Sequence, residues 1–300
     1  MTLHKHQIVV VGGGAAGLVV AFGAAAAGID VALIEADRLG GECTWTGCVP
    51  SKTFIDAARR VHEARTSSRI GIGASDVTID FARLMRHVHD TSVHVAAEEG
   101  TQRASAAGIS VYQSFGRFED SSTLALDSGE RVTAKRIVLA TGGRPQIPPP
   151  LDGVRHLTYE TVWGLTELPE HLAVIGGGAI GTELAQAFRR LGSKVTIITD
   201  VEHLVPAAHP EASELITERL ISEGTTIHTN TKVVSAAESE DHIRLAIEDG
   251  TVITASHVLV TVGRDSSLAA LNPGAATIEV DDSGQPALDH RLRTSRKHIY

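Results

Sequence analysis

Two stretches of the chain share one pattern: a short run of β-branched residues, a glycine-rich turn and a segment of helical length. In the first, Ile8-Val9-Val10-Val11 is followed by Gly12-x-Gly14-x-x-Gly17 and by an alanine-rich segment that reaches about residue 27. An uninterrupted β-branched run is typical of a strand that is buried in a parallel sheet. The pattern therefore predicts a strand over 7–11, a helix to about 27 and a second strand over 30–34 that leads into Glu35.

The second stretch repeats this order further along the chain. It predicts a strand over 172–175, the turn Gly176-x-Gly178-x-x-Gly181, a helix to about 191 and a strand over 194–198. In such a fingerprint the glycines permit a tight turn and a close approach to a pyrophosphate, which the N-terminus of the helix faces. An acidic residue such as Glu35 can bond a ribose hydroxyl. Two fingerprints predict two bound dinucleotides.

A second repeat defines the domains. Residues 124–134 predict a hairpin that is followed by a buried strand over 136–142, and residues 245–255 and 257–263 have the same pattern. The proline-rich segment 144–150 suits a connection between domains. We expect an α/β fold with two Rossmann-like dinucleotide-binding domains, over 1–150 and 151–268, and with residues 269–300 returning towards the first domain. Residues 81–107 predict one helix, with His87, His89 and His94 on a solvated face.

Charge and composition exclude some classes of partner. A net charge of −9 argues against nucleic acid or an anionic membrane as the main partner. The 15 histidines are scattered, and none forms a metal-ligand pattern with the cysteines. Residues 8–29 are uncharged and long enough to resemble a transmembrane helix or a signal peptide, but glycines at 12, 13 and 14 interrupt them. We expect a soluble, cytoplasmic protein without a bound metal.

The segment 40–52 contains the only two cysteines of the chain, Cys43 and Cys48, and ends in Pro-Ser-Lys. Pro50 suits the first turn of a helix, which places Cys48 beside a helix N-terminus. In such a setting the pKa of a thiol falls from about 8.5 to between roughly 3.5 and 7.5, so that the sulfur is a nucleophile at neutral pH. A structural disulfide or two inert thiols is the alternative, but the spacing and the setting favour redox chemistry.

The Cys-x4-Cys-Val-Pro-Ser-Lys core resembles the redox-active segment of the FAD-dependent pyridine nucleotide-disulfide oxidoreductases. These enzymes include dihydrolipoamide dehydrogenase, glutathione reductase and mercuric reductase. The family more often has Thr before the first cysteine and Val/Leu-Asn-Val between the two. Glu42 and Thr44-Trp45-Thr46 depart from that pattern and bear on which substrate is accepted.

The resemblance implies an oxidoreductase that acts on a sulfur group, with FAD in the first domain and NAD or NADP in the second. It implies that Cys48 is the sulfur next to the flavin, able to form a charge-transfer complex, and that Cys43 exchanges with the substrate. Lys52 resembles the lysine near the reactive nitrogen of the flavin, and Glu183 is its expected partner. The remaining residues that the resemblance assigns to nucleotide contacts are Gly41, Gly116, Thr141 and Gly142 for FAD and Gly263 for the second domain.

The choice between NAD and NADP depends on the end of the strand 194–198. Thr199 stands where the family usually has the Glu that bonds the 2′-hydroxyl, and Asp200 stands where an NADP enzyme tends to have Arg. A carboxylate repels a 2′-phosphate, and no Arg or Lys lies between Lys194 and Arg219 to offset it. NAD is therefore favoured over NADP.

The electron acceptor stays open. The chain resembles the family over its whole length, but residues 294–300 look like the start of a strand that continues in relatives. The C-terminal interface domain, which forms the homodimer and supplies a His-Glu base to the partner, is absent, so we expect a truncated chain. Three alternatives remain: a reductase of a small or protein-bound disulfide, as in dihydrolipoamide dehydrogenase; a metal-ion reductase of the mercuric type; and a flavoprotein redox sensor without turnover.

Overall fold

The computed structural model describes residues 2–73 and 77–300. The α-helices are α1 (Ala15–Ala26), α2 (Gly41–Trp45), α3 (Cys48–Thr66), α4 (Phe81–Glu99), α5 (Thr101–Ala106), α6 (Ala179–Leu191) and α7 (Pro210–Ser222). The strands are β1 (Leu3–Val11), β2 (Val31–Glu35), β3 (Ser110–Gln113), β4 (Gly116–Phe118), β5 (Thr123–Leu126), β6 (Arg131–Leu139), β7 (Gly143–Pro145), β8 (Leu157–Thr158), β9 (His171–Ile175), β10 (Lys194–Ile198), β11 (Thr226–His228), β12 (Val233–Glu238), β13 (Ile243–Ile247), β14 (Val252–Ala255), β15 (His257–Val260) and β16 (Arg264–Ser266). Within the described ranges, no helix is both long enough and apolar enough to cross a membrane.

The contacts within the chain divide it into two compact units. The first consists of Met1–Trp45, Ser92–Arg144 and Arg264–Tyr300, and the second of Thr46–Thr91 and Pro145–Gly263. The units change over near the predicted limits at residues 150 and 268, but the contacts group residues 46–91 with the second unit. The predicted domain limits stay predictions, and each unit is described by itself below.

The first unit contains a six-stranded sheet in the order β3-β2-β1-β6-β5-β4. Strands β3, β2, β1 and β6 are parallel, and β5 and β4 are antiparallel additions. Strand β1 begins at Leu3 and not at residue 7 as predicted, because residues 3–6 pair with residues 131–134 of β6. The prediction relied on apolar runs and therefore missed this end of the strand, where polar residues predominate. Val9 and Val10 are fully buried at the centre of the sheet.

The second unit contains a five-stranded parallel sheet in the order β11-β10-β9-β15-β8. Its central strand β9 starts at His171, just after Pro169, which has no N–H to donate to a ladder. Strands β12, β13 and β14 form a separate antiparallel sheet. The order of the four strands β11-β10-β9-β15 matches that of β3-β2-β1-β6, so the repeated pattern in the sequence corresponds to a repeated fold.

The two hairpins of the repeat differ in one respect that the sequence analysis did not predict. Both turns contain a glycine with a left-handed φ, Gly129 at +88° and Gly250 at +85°. After the first turn the chain forms one continuous strand, β6, where a hairpin and a separate strand were expected, because β1 is long enough to pair along all of it. After the second turn, β14 and β15 are separate as expected, and Ser256 lies between them.

The predicted helix over 81–107 is wrong as a single element. Helix α4 ends at Glu99 and α5 begins at Thr101, with Gly100 in an extended conformation between them. Glycine disfavours a helix interior because its backbone loses the most freedom there. His87, His89 and His94 are exposed on α4. Among the residues that the structure describes, no group of three or more His, Cys, Asp or Glu side chains is arranged to hold a metal ion.

Helix α3 packs on α6 inside the second unit. The fully buried ring of Phe54 lies 4.9 Å from the ring of Phe188 and 6.0 Å from that of Trp163, measured between centroids. Large aromatic side chains in such contacts dominate the energetics of a core. This packing fixes the helix that begins at Cys48 against the helix of the second glycine fingerprint.

Candidate functional site

The first glycine-rich turn joins β1 to α1, and its backbone leaves no room for side chains at two positions. Gly12 has a φ of +106°, and a Cβ there would lie 2.2 Å from the carbonyl oxygen of Ala140. A Cβ on Gly17 would lie 1.8 Å from the carbonyl oxygen of Gly12. Gly14 is the N-cap of α1, and among the described residues a Cβ there would meet only the Cα of Gly41, at 3.8 Å. The N-terminus of α1 thus has space for a phosphate group.

Glu35 ends β2 and lies against this turn. One of its carboxylate oxygens accepts a hydrogen bond from the N–H of Gly13 at 2.6 Å, and the other accepts one from the N–H of Asp37 at 2.7 Å. These bonds fix the carboxylate at the C-terminal end of the strand. Each oxygen keeps a further lone pair, so the side chain can still accept a bond from a ribose hydroxyl.

The segment that leads into Cys43 lies on the same turn. The N–H of Gly40 donates to the carbonyl oxygen of Gly13 at 2.9 Å. Gly41 has a φ of +56°, and a Cβ there would lie 2.5 Å from the Cα of Gly14. Helix α2 therefore begins directly at the candidate phosphate site, and only glycines permit this approach.

Two polar contacts hold α2 in place within the first unit. The hydroxyl of Thr44, which is 2% exposed, donates to the Glu99 carboxylate at 2.6 Å. Glu42 pairs with the guanidinium of Arg264. Glu42 was noted in the sequence as a departure from the family pattern, but its partner was not predicted, because the two residues are far apart in the chain.

A cleft of about 160 Å³ beside the first turn brings together four of the predicted site residues. Gly12, Glu35, Gly116 and Thr141 line it, and we call it the first cleft. Gly142 follows Thr141 with a left-handed φ of +64°. Residues from four separate stretches of the chain thus meet at the carboxyl ends of the parallel strands, where open α/β sheets bind ligands.

The two cysteines occupy different units and different helices. Cys43 is half-buried in α2, whereas Cys48 is exposed as the first residue of α3. Gly47 is the N-cap of that 19-residue helix, and Pro50 is buried in its first turn. The free N–H groups and the dipole of a helix favour a negative charge at this end.

Lys52 and Glu183 form an ion pair. The Lys52 Nζ lies 2.9 Å from a carboxylate oxygen of Glu183, and their side chains are 66% and 49% exposed. Lys52 lies about one turn after Cys48 on α3, and Glu183 lies in α6. The structure thus brings together two residues 131 positions apart that the sequence analysis had paired. An exposed pair contributes little to stability, generally below about 1 kcal/mol.

Trp163 holds the chain segment that leads into Cys48, and the sequence analysis did not identify it. Its indole N–H donates to the carbonyl oxygens of Thr46 and Tyr159, both at 2.8 Å. Thr46 lies two residues before Cys48, so this bond restrains the segment that enters α3. A partly buried indole N–H needs an acceptor, but its partner lies 117 residues away and gives no local signal.

The second glycine-rich turn joins β9 to α6 and repeats the geometry of the first. Gly176 has a φ of +111°, and a Cβ there would lie 2.6 Å from the carbonyl oxygen of Thr261. A Cβ on Gly181 would lie 2.3 Å from the carbonyl oxygen of Gly176. A Cβ on Gly178, the N-cap of α6, would meet none of the described residues within 4 Å.

Thr199 takes over part of the role of Glu35 in this unit. Its hydroxyl oxygen accepts a hydrogen bond from the N–H of Gly177 at 3.0 Å, as the Glu35 carboxylate does from Gly13. Thr199 is only 4% exposed and has no second oxygen to offer a ribose. The next residue, Asp200, is exposed and is the acidic group available at this position.

A cleft of about 700 Å³ lies beside the second turn. Gly176, Gly178, Asp200 and Gly263 line it, and we call it the second cleft. Gly263 accepts a backbone hydrogen bond from Gln146 at 3.0 Å. Gly181 does not line the cleft, because it lies in the first turn of α6 against Gly176.

Lys232 also lines the second cleft, and the sequence analysis missed it. Its Nζ lies 3.6 Å from a carboxylate oxygen of Asp200. The prediction of NAD rests on the absence of Arg and Lys between Lys194 and Arg219. Lys232 lies outside that range, in the loop after the next strand. The internal repeat contains the information that identifies Lys232. Its counterpart in the first unit is Phe115, which lies in the loop after β3 and lines the first cleft.

Comparison with known families identifies a relationship over nearly all of the chain. The family described as pyridine nucleotide-disulphide oxidoreductase matches residues 6–300. Mercuric reductase of Bacillus cereus is 32% identical over 302 residues, which is 99% of this chain and 48% of that protein. Dihydrolipoyl dehydrogenase of Geobacillus stearothermophilus is 33% identical over 304 residues, which is 99% of this chain and 64% of that protein. The chain thus spans about half to two-thirds of the length of these relatives.

Solved structures give the same relationship. The HOCl-induced flavoprotein disulfide reductase RclA of Escherichia coli, solved as a Cu(II) complex, superposes with a TM-score of 0.87 at 27% identity. The match covers 99% of this chain and 65% of that one. LpdA of Mycobacterium tuberculosis superposes with a TM-score of 0.88 at 27% identity, over 100% of this chain and 67% of that one.

The contact of Gly17 with Gly12 leads to a stability prediction. Replacing Gly17 with Ala places a methyl group on the Gly12 carbonyl, so we expect the free energy of unfolding to fall by about 3 kcal/mol or more. Gly23 lies in the same helix, and a Cβ there would meet none of the described residues within 4 Å. The Gly23→Ala control should therefore gain about 0.5–1 kcal/mol. Urea unfolding of both variants checks this, and equal stabilities would contradict the packing of the turn.

Proposed function

Because the chain belongs to the pyridine nucleotide-disulphide oxidoreductase family, we propose that it is a flavoprotein disulfide oxidoreductase. It passes electrons between NAD(P)H and the Cys43/Cys48 pair by way of FAD, and from the dithiol to a thiol or disulfide acceptor. The observation that carries this proposal is the Lys52–Glu183 ion pair. It connects the helix that begins at Cys48 with the helix of the second glycine fingerprint, and so relates the cysteine chemistry to a nucleotide site.

The first unit fits an FAD. The turn at Gly12 and Gly14 leaves a phosphate-sized approach to the N-terminus of α1, and Glu35 is held where it can accept a bond from a ribose hydroxyl. Gly116, Thr141 and the adjacent Gly142 lie at the first cleft and offer backbone groups. When bound, FAD supplies two-electron transfer between a pyridine nucleotide and a dithiol.

The two cysteines divide the thiol chemistry. Cys48 is the first residue of α3, a position that suits the sulfur next to the flavin. Cys43 is the sulfur that exchanges with the substrate. Exchange proceeds by attack of a thiolate on a disulfide sulfur, so the product is a mixed disulfide that the second cysteine resolves.

Lys52 and Glu183 organise charge near the flavin ring. The Lys52 ammonium would stabilise negative charge on a bound flavin, and Glu183 would hold the lysine in position through its 2.9 Å contact. Lys52 is therefore assigned the electrostatic role, and Glu183 is a positioning residue.

The second cleft takes the nicotinamide cofactor, with NAD favoured over NADP. Gly178 leaves the N-terminus of α6 open for a pyrophosphate. Thr199 is occupied by the N–H of Gly177, so the ribose contact falls to Asp200. A carboxylate accepts a bond from a 2′-hydroxyl and repels a 2′-phosphate.

Reduction of a metal ion is the second candidate for the acceptor reaction. Mercuric reductases are among the proteins that the chain resembles, as is a copper-bound flavoprotein disulfide reductase. Thiolates such as those of Cys43 and Cys48 are soft ligands that suit Hg(II) as substrate, or Cu(I) as the product of Cu(II) reduction. The third alternative, a redox sensor that does not turn over, is distinguished from both enzymes because every small acceptor would reoxidise the reduced protein slowly. We propose that the protein is a cytoplasmic homodimer.

Matched substitutions test which turn binds which nucleotide. Ala fits at Gly178 without touching the described residues and at Gly14 with only an ordinary van der Waals contact to the Cα of Gly41, but its methyl group blocks a pyrophosphate. We expect Gly14→Ala to lose FAD and its yellow colour. Gly178→Ala should keep FAD and be reduced by dithionite but no longer by NADH. Absorbance spectra under nitrogen check both, and loss of FAD in Gly178→Ala alone would reverse the assignment.

The ion pair predicts a non-additive effect on the rate of flavin reduction. Lys52→Met should slow reduction by NADH about a hundredfold, which is the usual effect of removing one electrostatic group from a reacting centre. Glu183→Gln should slow it less, and the double variant should be no slower than Lys52→Met, because Glu183 acts through Lys52.

Stopped-flow absorbance measures these rates, and Glu63→Gln is the control. Glu63 is an exposed carboxylate on the same helix, paired with Arg59. Its variant should match the unsubstituted protein. Additive losses from Lys52→Met and Glu183→Gln would contradict the positioning role.

A further inference from the structure

The loop that carries Lys232 is fixed beside Asp200 by backbone hydrogen bonds. The N–H of Thr231 donates to the carbonyl oxygen of Thr199 at 3.0 Å, and the N–H of Asn230 donates to that of Val201 at 3.1 Å. Asn230 has a left-handed φ of +51°, a conformation that Asn adopts more readily than most residues. The loop after β11 therefore cannot move far from the loop after β10.

The backbone of Lys232 is also held from its other side. Its N–H donates to a carboxylate oxygen of Glu248 at 3.1 Å, and its carbonyl oxygen accepts from the N–H of Glu248 at 3.2 Å. The main chain of Lys232 is thus fixed, whereas its side chain is 64% exposed. The Lys232 Nζ lies 3.6 Å from a carboxylate oxygen of Asp200. An exposed pair at this distance is weak, so a stronger anion can displace the carboxylate.

An unused polar group lies in the same part of the second cleft. The hydroxyl oxygen of Thr231 has no hydrogen-bond partner among the described residues, although Thr231 is only 8% exposed. Thr231 and Lys232 both line the cleft. Of the two, the Lys232 ammonium is the exposed group and is of a kind that binds phosphate oxygens.

The charges of the described residues that line the second cleft sum to zero, so that one substitution changes their sum. Asp200 and Lys232 contribute one negative and one positive charge. Glu202 is 74% exposed, lies 3.7 Å from His203 and does not line the cleft. The Glu248 carboxylate is bound to the Lys232 main chain.

We propose that Lys232 is a second residue that determines nucleotide specificity, a 2′-phosphate partner that Asp200 masks. This inference rests on the proposed function only in that the second cleft binds a pyridine nucleotide. Asp200 excludes the 2′-phosphate both by direct repulsion and by neutralising the one cation that reaches this part of the cleft among the described residues that line it. Removing the Asp200 charge exposes Lys232, so the cleft gains affinity for a 2′-phosphate without any added arginine.

The test is direct binding of two nucleotide fragments, which involves neither flavin nor cysteines. Isothermal titration calorimetry with 2′,5′-ADP and with 5′-AMP is applied to the unsubstituted protein, Asp200→Asn, Asp200→Asn/Lys232→Met and Glu202→Gln. We expect Asp200→Asn to bind 2′,5′-ADP about tenfold more tightly, as one charge contact of roughly 4–5 Å in a partly screened site implies. Its affinity for 5′-AMP should change by less than about threefold.

Lys232→Met in the Asp200→Asn background should abolish the gain, and salt should reduce it. Glu202→Gln removes the same charge from the same loop and should have little effect. A gain that survives loss of Lys232, or that Glu202→Gln reproduces, overturns the proposal in favour of a general change in charge. Binding of neither fragment to any variant contradicts the nucleotide site itself, whereas binding of 5′-AMP alone in every variant contradicts only the role of Lys232.

Discussion

The close contact between a glycine-rich turn and the first turn of the following helix is the constraint on which both proposed nucleotide sites depend. In each unit the last glycine of the fingerprint packs on the carbonyl oxygen of the first, at Gly17 on Gly12 and at Gly181 on Gly176. No side chain fits between them, so each helix starts at the end of its central strand, beside one of the two clefts. The residues that give each cleft its chemistry, such as Glu35 and Asp200, lie at the ends of neighbouring strands.

This constraint also places the cysteine chemistry. Gly41 packs on Gly14 of the first turn, so the helix that carries Cys43 begins where a pyrophosphate would lie. In the second unit, the packing of Phe54 on α6 fixes the helix that begins at Cys48, and Lys52 meets Glu183 across the same helix pair. Aromatic packing supplies the stability there, while the exposed ion pair contributes little to it. That division leaves Lys52 and Glu183 available for function.

Local patterns in the sequence predicted the parts of the structure that local chemistry decides. The fingerprint turns, α1, α6 and the strands that flank them follow from glycine placement and apolar runs, and the Lys52–Glu183 pair followed from a family resemblance. Features that depend on distant partners were missed. The polar start of β1 is a strand because β6 pairs with it, and Trp163 matters because Thr46 accepts its N–H. Lys232 and Asp200 are close in the fold but distant in the sequence, so the pair was missed. Comparison with Phe115, its counterpart in the repeat, identifies Lys232 as a residue of the second cleft.

An anaerobic titration of the purified protein with NADH, recorded across the visible spectrum and followed by counting of reactive thiols, shows whether electrons reach Cys43 and Cys48. We expect a yellow protein that takes up two electrons, gains a broad long-wavelength band and exposes two new thiols. The same titration of Cys48→Ser should leave FAD bound and remove the band. A flavin that NADH reduces while Cys43 and Cys48 stay unchanged, or a band that survives in Cys48→Ser, would contradict electron transfer to this cysteine pair.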